Sequence, residues 1–153
     1  MESYTFALDK VRNYKSQVLD KEKRKLAILQ KKRDEIAEKI IALGNFRNEK
    51  NAELVAMQRK GAFVSELITY SFMIENARLL LQTMLIDLKK AEDETEIQRQ
   101  IVLKVYQEKT GMDKLEEKQV EEYRLEEAKS YQNEILQNIS NQIAVANQVS
   151  QRA

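Results

Sequence analysis

Six glutamates between Glu116 and Glu127 form the densest group of side chains in this chain that could do chemistry. Paired carboxylates can act as a general acid and base, or they can hold a metal ion. Four cationic residues are interleaved with them, Lys114, Lys118, Arg124 and Lys129. Because interspersed charges of both signs are typical of a solvated helix surface, we interpret this stretch as a surface and not as an active site.

The residue types that most catalytic and metal sites require are missing. The 153 residues contain no histidine, cysteine, proline or tryptophan, and no glycine-rich loop of the phosphate-binding type. Histidine is the usual proton-transfer group at neutral pH, and cysteine is needed for thiolate zinc sites and disulfides. The sequence therefore predicts a protein that is not an enzyme and that needs no cofactor or metal.

Two basic runs, Lys21–Lys25 and Lys31–Arg33, raise the question of nucleic-acid binding. No recognisable docking module accompanies them, and the net charge is only +1. The segment up to Lys60 carries 15 Lys and Arg against 9 Asp and Glu, whereas the remainder carries 11 against 16. Opposite signs favour two segments that lie side by side, so we predict no nucleic-acid partner.

The elements that must position these side chains are long helices. The only glycines are Gly44, Gly61 and Gly111, and proline is absent. In the first segment, apolar residues fall on an alternating spacing of four and three, the repeat of a coiled coil. The series is Leu8, Val11, Val18, Leu29, Ile36, Leu43, Phe46 and Met57, with mostly charged residues in its other slots. After Gly61 the series is Tyr70, Ile74, Ala77, Leu81, Met84, Leu88, Ala91, Val102, Val105 and Met112.

These patterns predict an all-α fold, a long antiparallel two-helix coiled-coil hairpin with an overhanging C-terminal helix. Gly61 can adopt the left-handed conformation that ends a helix, and Ser65 offers an N-cap hydroxyl for the next one. We expect a single coiled-coil domain over residues 1–153, with helices at about 3–57 and about 65–150 and a turn at about 58–64. Antiparallel partner positions then sum to about 122, so about 30 residues of the second helix overhang.

Apolar residues near the turn exceed what one hairpin seam can bury. Beside the seam of the second helix, Met73, Ala77, Leu80 and Met84 form a second stripe. An exposed apolar stripe usually marks a protein interface. The alternatives are a thicker hairpin core and self-association through the same stripe.

The segment from Ile135 to Arg152 is rich in amides and almost uncharged. Its apolar side comprises Ile135, Ile139, Ile143, Ala146 and Val149. Such a helix can dock in a groove without burying charges, and the alternative is a frayed end. No run approaches the roughly 20 apolar residues of a membrane span, so we expect a cytoplasmic protein.

Four stretches of the chain resemble the FliJ family, the small coiled-coil component of the bacterial flagellar type III export apparatus. They are FALDKVRNYK, LGNFRNEK, ITYSFMIENARLLL and MDKLEEKQVEEYRLEEAKSY. The resemblance implies a hairpin similar to the central stalk of rotary ATPases. It implies contacts with the export ATPase FliI, with the cytoplasmic domain of the export gate protein FlhA and with export chaperones.

The family's gate-contacting positions fall on six residues here, Leu43, Phe46, Met73, Ala77, Leu80 and Met84. Lys39 and Lys50 occupy two further matched positions. For the ATPase ring, the resemblance points to the hairpin end away from Gly61. We place that contact on Tyr4, Phe6, Val11, Tyr14, Met112, Leu115, Ile135 and Ile139.

The resemblance thus implies a non-enzymatic adaptor that couples the ATPase ring to the gate and handles export chaperones. It would be peripheral at the cytoplasmic face of the inner membrane and would meet the membrane only through the gate. One alternative is the equivalent stalk subunit of a virulence type III secretion system or a rotary ATPase. Another is a generic self-associating coiled-coil scaffold.

Overall fold

The structure is a computed structural model that describes residues 4–152. Helix α1 spans Asp9–Lys60 and helix α2 spans Val64–Arg152, so the predicted all-α hairpin of two antiparallel helices is confirmed. The expected start of the first helix near Ser3 lies outside the described residues, and within them α1 begins at Asp9. Neither described helix contains a stretch that is long and apolar enough to cross a membrane.

The turn between the helices is built on Gly61, whose φ is +81°. Arg59 and Lys60 occupy the last turn of α1, where positive side chains interact favourably with the free carbonyl groups. A helix that ends on a left-handed residue almost always needs glycine there, because a Cβ atom would approach the following carbonyl oxygen. Gly61 therefore ends α1, as the sequence predicts.

The start of α2 differs from the sequence-based prediction by one residue. The backbone N–H groups of Glu66 and Leu67 donate hydrogen bonds of 3.0 and 3.2 Å to the carbonyl oxygen of Phe63. Helix α2 consequently begins at Val64, and Ser65 lies inside its first turn. The predicted N-cap role of Ser65 is wrong, because an N-cap residue must itself have non-helical backbone angles.

Replacing Gly61 with alanine is expected to lower the free energy of unfolding by about 1 kcal/mol, because alanine is strained at a positive φ. Gly44→Ala is the matched control: Gly44 lies inside α1, and a Cβ atom there meets nothing within 4 Å. That change should raise stability by up to about 1 kcal/mol. Urea unfolding followed by circular dichroism measures both. A stabilised Gly61→Ala protein would contradict the left-handed turn.

The contacts of the chain divide it into two units. The turn unit comprises Gln17–Tyr106, and the terminal unit comprises the described residues of Met1–Ser16 and Gln107–Ala153. Each unit contains a part of α1 and a part of α2. We describe the packing of each unit by itself.

In the turn unit, the seam of α2 follows the predicted spacing. Residues of reduced exposure recur alternately three and four apart: Tyr70, Ile74, Ala77, Leu81, Met84, Leu88, Ala91, Thr95, Gln98, Val102 and Val105. All the apolar members that the sequence predicts in this unit are among them. A repeat of this kind keeps one stripe of the helix against its partner.

The seam of α1 in the turn unit differs from the spacing predicted from the sequence at every second position. It contains Leu19, Glu22, Leu26, Leu29, Arg33, Ile36, Ile40, Leu43, Arg47, Lys50, Leu54 and Met57. The predicted positions of Leu29, Ile36 and Leu43 are right. The intervening positions are shifted by one residue, so that Leu19 and not Val18 is buried, and Arg47 replaces Phe46. The shift exchanges several predicted charged slots for leucine and isoleucine, and apolar burial is the stabilising term.

A polar layer interrupts the apolar seam of the turn unit. The side-chain amide of Gln98 on α2 donates to the Glu22 carboxylate (2.5 Å) and to the Glu22 carbonyl oxygen (3.1 Å) on α1. The bond from Gln98 lowers the pKa of Glu22. The buried hydroxyl of Thr95 is satisfied by the carbonyl oxygen of Ala91, at 2.7 Å. Such a layer fixes the register of two helices, because a shift would leave buried polar groups unpaired.

The terminal unit is held by pairs of opposite charge across the two helices. Arg12 is ion-paired with Glu116, and the Lys15 Nζ lies 2.6 Å from the Glu108 carboxylate. The prediction that basic and acidic segments lie side by side is confirmed in this unit. In the turn unit, the ion pairs found among the described residues lie within a single helix, for example Arg99 with Glu96.

The overhang of α2 begins after Tyr123. The ring of Tyr4 packs on the ring of Tyr123, with centroids 5.6 Å apart. Every described residue from Arg124 to Arg152 is exposed. The predicted overhanging C-terminal helix is therefore confirmed.

Candidate protein-binding surfaces

The glutamate-rich stretch of α2 does not form an enclosed acid site. Glu116 is ion-paired with Arg12, and its neighbours Glu117, Glu121 and Glu122 are exposed. Over residues 4–152, no three acidic side chains lie close enough together to hold a metal ion.

Three of the six predicted gate-contacting residues form a patch, which we call the turn-unit triad: Phe46, Met73 and Leu80. Each is at least partly exposed, and each directly precedes a seam residue of its helix. In an antiparallel coiled coil, the positions preceding equivalent seam residues lie on the same side of the pair. The triad thus combines one side chain from α1 with two from α2 on one face.

The other three predicted residues belong to the seam. Ala77 is buried, with 4% of its surface exposed, and Leu43 and Met84 are half-buried between the helices. Their side chains pack between the helices, below the exposed face that the triad forms. The stripe predicted from the sequence therefore contains both seam residues and exposed residues, which the structure separates.

A polar cluster lies beside the triad. The Lys50 Nζ lies 5.6 Å from the ring centroid of Phe46 and 5.5 Å from that of Tyr70, both cation–π distances. It also pairs with the Glu53 carboxylate at 3.1 Å, which raises the pKa of Lys50. Hydrogen bonds from Lys50 and Tyr70 lower the pKa of Glu53. The cluster joins α1 to α2 and fixes the orientation of Phe46. Lys39, the other matched lysine, is exposed on α1.

A second apolar feature of the turn unit was not predicted. Phe72, Leu79 and Ile86 are 65%, 48% and 58% exposed, and we call them the outer stripe. They recur every seven residues, two positions before a seam residue, which is the position farthest from the partner helix. Their seven-residue spacing is visible in the sequence. It does not single them out, because the stretch ITYSFMIENARLLLQTMLI is so apolar that several heptad series fit it equally well.

In the terminal unit, the predicted ATPase-binding residues have different environments. Phe6 is buried, with the Arg12 guanidinium 5.5 Å from its ring centroid. Val11 and Tyr14 are exposed on α1. Tyr4 is half-buried against Tyr123. Phe6 and Tyr4 therefore hold the described segment that precedes α1, whereas Val11 and Tyr14 are free to meet a partner.

A shallow groove between α1 and α2 of the terminal unit brings two further predicted residues together. Its walls are Leu8, Lys15, Glu108, Gly111, Met112 and Leu115. Met112 is half-buried and Leu115 is exposed. The absence of a side chain at Gly111 leaves space there, since a Cβ atom would meet nothing within 4 Å.

The remaining two, Ile135 and Ile139, lie on the uncharged tail, which we define as Ile135–Gln151. No residue of this segment is charged. At about 100° per residue, Ile135, Ile139 and Ile143 lie roughly 120–200° around α2 from Tyr123. The apolar side of the tail therefore faces away from the seam, although its spacing of four and three is the same. The sequence-based prediction found the spacing and missed this change of face.

Comparison with known proteins gives a family match. The family model described as "FliJ: Flagellar FliJ protein" matches residues 4–135. No curated protein and no solved structure matches the chain. The family match covers the whole turn unit, and it covers the terminal unit up to Ile135, where the uncharged tail begins.

Proposed function

The chain belongs to the FliJ family of flagellar proteins, and on that premise we propose that it couples the export ATPase FliI to the export gate protein FlhA. The family match makes it a component of the flagellar export apparatus and favours that apparatus over a virulence secretion system. The observation that carries the finer proposal is the turn-unit triad. It is an apolar face built from both helices, at positions where the family resemblance puts the gate contact.

We assign the gate contact to Phe46, Met73 and Leu80. A partner that covers these side chains removes apolar surface from water without taking any residue out of the seam. Lys50 holds Phe46 at one edge of the face through its cation–π contact. Leu43, Ala77 and Met84 contribute indirectly, because they set the spacing of the helices beneath the triad.

We assign the ATPase contact to the terminal unit. Val11, Tyr14 and Leu115 are exposed beside the groove, and the uncharged tail is available over its whole length. A two-helix segment about 20 Å across is narrow enough to enter the opening of an ATPase ring. A tail without charges can enter a protein cavity without losing the hydration of ions, which would cost several kcal/mol per charge.

Export chaperones and the place of action complete the proposal. The protein handles chaperones while it works at the cytoplasmic face of the inner membrane, and it meets the membrane only through the gate. In this role it acts without a catalytic step of its own and without nucleic acid.

The test of the gate assignment is the double variant Met73→Asp and Leu80→Asp. Buried interface anchors typically cost about 2 kcal/mol or more when they are lost, which corresponds to a roughly 30-fold weaker dissociation constant. Calorimetric titration with the purified cytoplasmic domain of FlhA measures it. Helix content should be unchanged, because both side chains lie outside the seam.

Ile28→Asp is the control, since Ile28 is exposed on α1 and is not part of the triad. It should bind the gate domain as the unchanged protein does. Unaltered binding by the double variant would refute the assignment. Loss of helical signal together with binding would instead show that Met73 and Leu80 belong to the core.

A further inference from the structure

One basic surface of α1 is used neither by the hairpin nor by the proposed gate and ATPase contacts. Its centre is Ile28, which is 69% exposed. Five exposed cationic residues lie within about 60° of Ile28 around the helix, at about 100° per residue, on three successive turns. They are Lys21, Arg24, Lys25, Lys31 and Lys32, and together with Ile28 we call them the basic patch.

The cations of the basic patch have few ion-pair partners. Lys25 pairs with Glu22 at 3.3 Å. No carboxylate of the described residues lies within ion-pair distance of the other four cations. The ion pairs of α2 in the turn unit stay within that helix, as Asp93 does with Lys89. The charge of the basic patch is therefore not neutralised by ion pairs with α2.

Carboxylates border the basic patch on two sides. Glu35 follows on the same side of α1 and is exposed. Towards α2, a shallow groove is lined by Lys32 together with Asp87, Lys90 and Glu94. The basic patch is therefore a short surface with limits, and not part of a positive face that runs along the whole hairpin.

We propose that the basic patch is a docking surface for an acidic amphipathic helix of another protein, which packs a large apolar residue on Ile28. Carboxylates three and four residues before and after that apolar residue lie on one face of such a helix, as the cations around Ile28 do on α1. Opposite charges speed the encounter and fix the register of the bound helix. Burial of Ile28 adds the apolar contact that charges alone do not provide.

The size of the basic patch favours a short helix over an extended anionic surface. From Lys21 to Lys32 it is about 17 Å long, at 1.5 Å per residue. A bilayer or a nucleic-acid duplex that lay along α1 would also meet Glu35 and Glu38, and like charges in contact cost free energy. A helical segment of three turns ends before it reaches these carboxylates.

Fluorescence anisotropy with two synthetic peptides tests the preference of this surface. The acidic peptide is an alanine-rich helix with one leucine and with glutamates three and four residues before and after it. In the neutral peptide, glutamines replace the glutamates. The full-length protein should bind the acidic peptide at least about tenfold more tightly, and the difference should shrink as salt is added. Equal binding of the two peptides would overturn the proposal.

Charge reversal on α1 tests the position of the surface. Arg24→Glu with Lys31→Glu should weaken binding of the acidic peptide at least about tenfold, because both positions then repel its carboxylates. Lys23→Glu with Lys129→Glu is the matched control, since it changes the net charge equally. Lys23 lies about 140° around α1 from Ile28, and Lys129 is on the overhang.

The control pair should bind the acidic peptide within about threefold of the unchanged protein, because charges more than about 10 Å apart are largely screened at moderate salt. Both double variants should keep their helical circular dichroism, since all four side chains are exposed. Equal losses of binding in the two would show a general effect of net charge and would overturn the docking surface.

Ile28→Ala separates a specific contact from charge attraction. It should weaken binding of the acidic peptide about threefold or more, and it should cause no further loss when the leucine of the peptide is also replaced by alanine, because side chains in contact are coupled. Additive losses would overturn the contact with Ile28.

Vesicles that contain phosphatidylserine, a short DNA duplex and a second copy of the chain are the competing occupants. They are tested by flotation, by gel shift and by sedimentation at increasing concentration. An association with any of these that Arg24→Glu with Lys31→Glu abolishes, without a preference for the acidic peptide, would reassign the basic patch and overturn the proposal.

Discussion

Leu19→Asp is expected to cost about 3 kcal/mol or more of the free energy of unfolding, because it removes a buried leucine and places an unpaired charge in the seam. Leu19 is among the few apolar residues of the described chain that are buried, with 4% of its surface exposed. The total stability of a domain is only 5–15 kcal/mol, and a thin hairpin belongs near the lower end. The variant should therefore lose most of its helical circular dichroism at growth temperature.

Val18→Asp is the matched control, one residue away and only half-buried. Its charge can reach water, so the loss of stability should be well below that of Leu19→Asp. Thermal unfolding of both variants followed at one wavelength gives the comparison. Equal losses, or a larger loss at Val18, would mean that the seam of α1 follows the spacing predicted from the sequence and not the one in the structure.

These two residues show how far the sequence determines the seam. In α2, charged residues flank Leu88 and Ala91 and leave only one series there, whereas the stretch around Leu81 is so apolar that several series fit it. In α1, Val18 and Leu19 are adjacent, and so are Ile40 and Ile41. Local spacing cannot then decide which neighbour faces inward. The decision depends on the total apolar area that the partner helix covers, which is a property of the pair.

Deleting Ile135 to Ala153 is expected to weaken ATPase binding at least tenfold, which is about 1.4 kcal/mol, and to reduce ATPase stimulation by a similar factor. This prediction rests on the proposed function of the terminal unit. The tail presents exposed isoleucines and no charge, and removing it removes that apolar contact. Gate binding should be unchanged, because the turn-unit triad does not include any tail residue.

Steady-state ATP hydrolysis by purified FliI, with and without each protein, measures this effect. Ile135→Ser with Ile139→Ser is a milder companion that keeps the length of the chain and should retain part of the stimulation. Full stimulation by the truncated protein would identify the tail as a helix end without a role. Weakened gate binding by the same protein would instead indicate a general loss of structure.

The candidate surfaces could be predicted only in part from the sequence. Met73 and Leu80 stand out because they flank an apolar series, and that series already places Ala77 and Met84 in the seam, where the structure has them. Phe6 looks like an exposed aromatic until the packing of the chain start shows it buried. Neighbouring residues of an α-helix are about 100° apart around its axis. A rotation of the helix by that angle decides which of two neighbours is buried, and the sequence alone does not give this rotation.

The rotation of the tail has a thermodynamic consequence. Within the terminal unit, α1 contacts one side of α2 through Arg12 and Lys15, and the tail offers Ile135 and Ile139 on the other side. No side chain serves both contacts, and the two groups are separated along the helix. Free-energy changes at distant sites that share no contact are additive. The coupling free energy between pairing of α1 with α2 and binding of a partner to the tail is therefore negligible. A partner that binds the tail therefore leaves the free energy of packing between α1 and α2 unchanged. The chain can then pass from one partner to another without refolding.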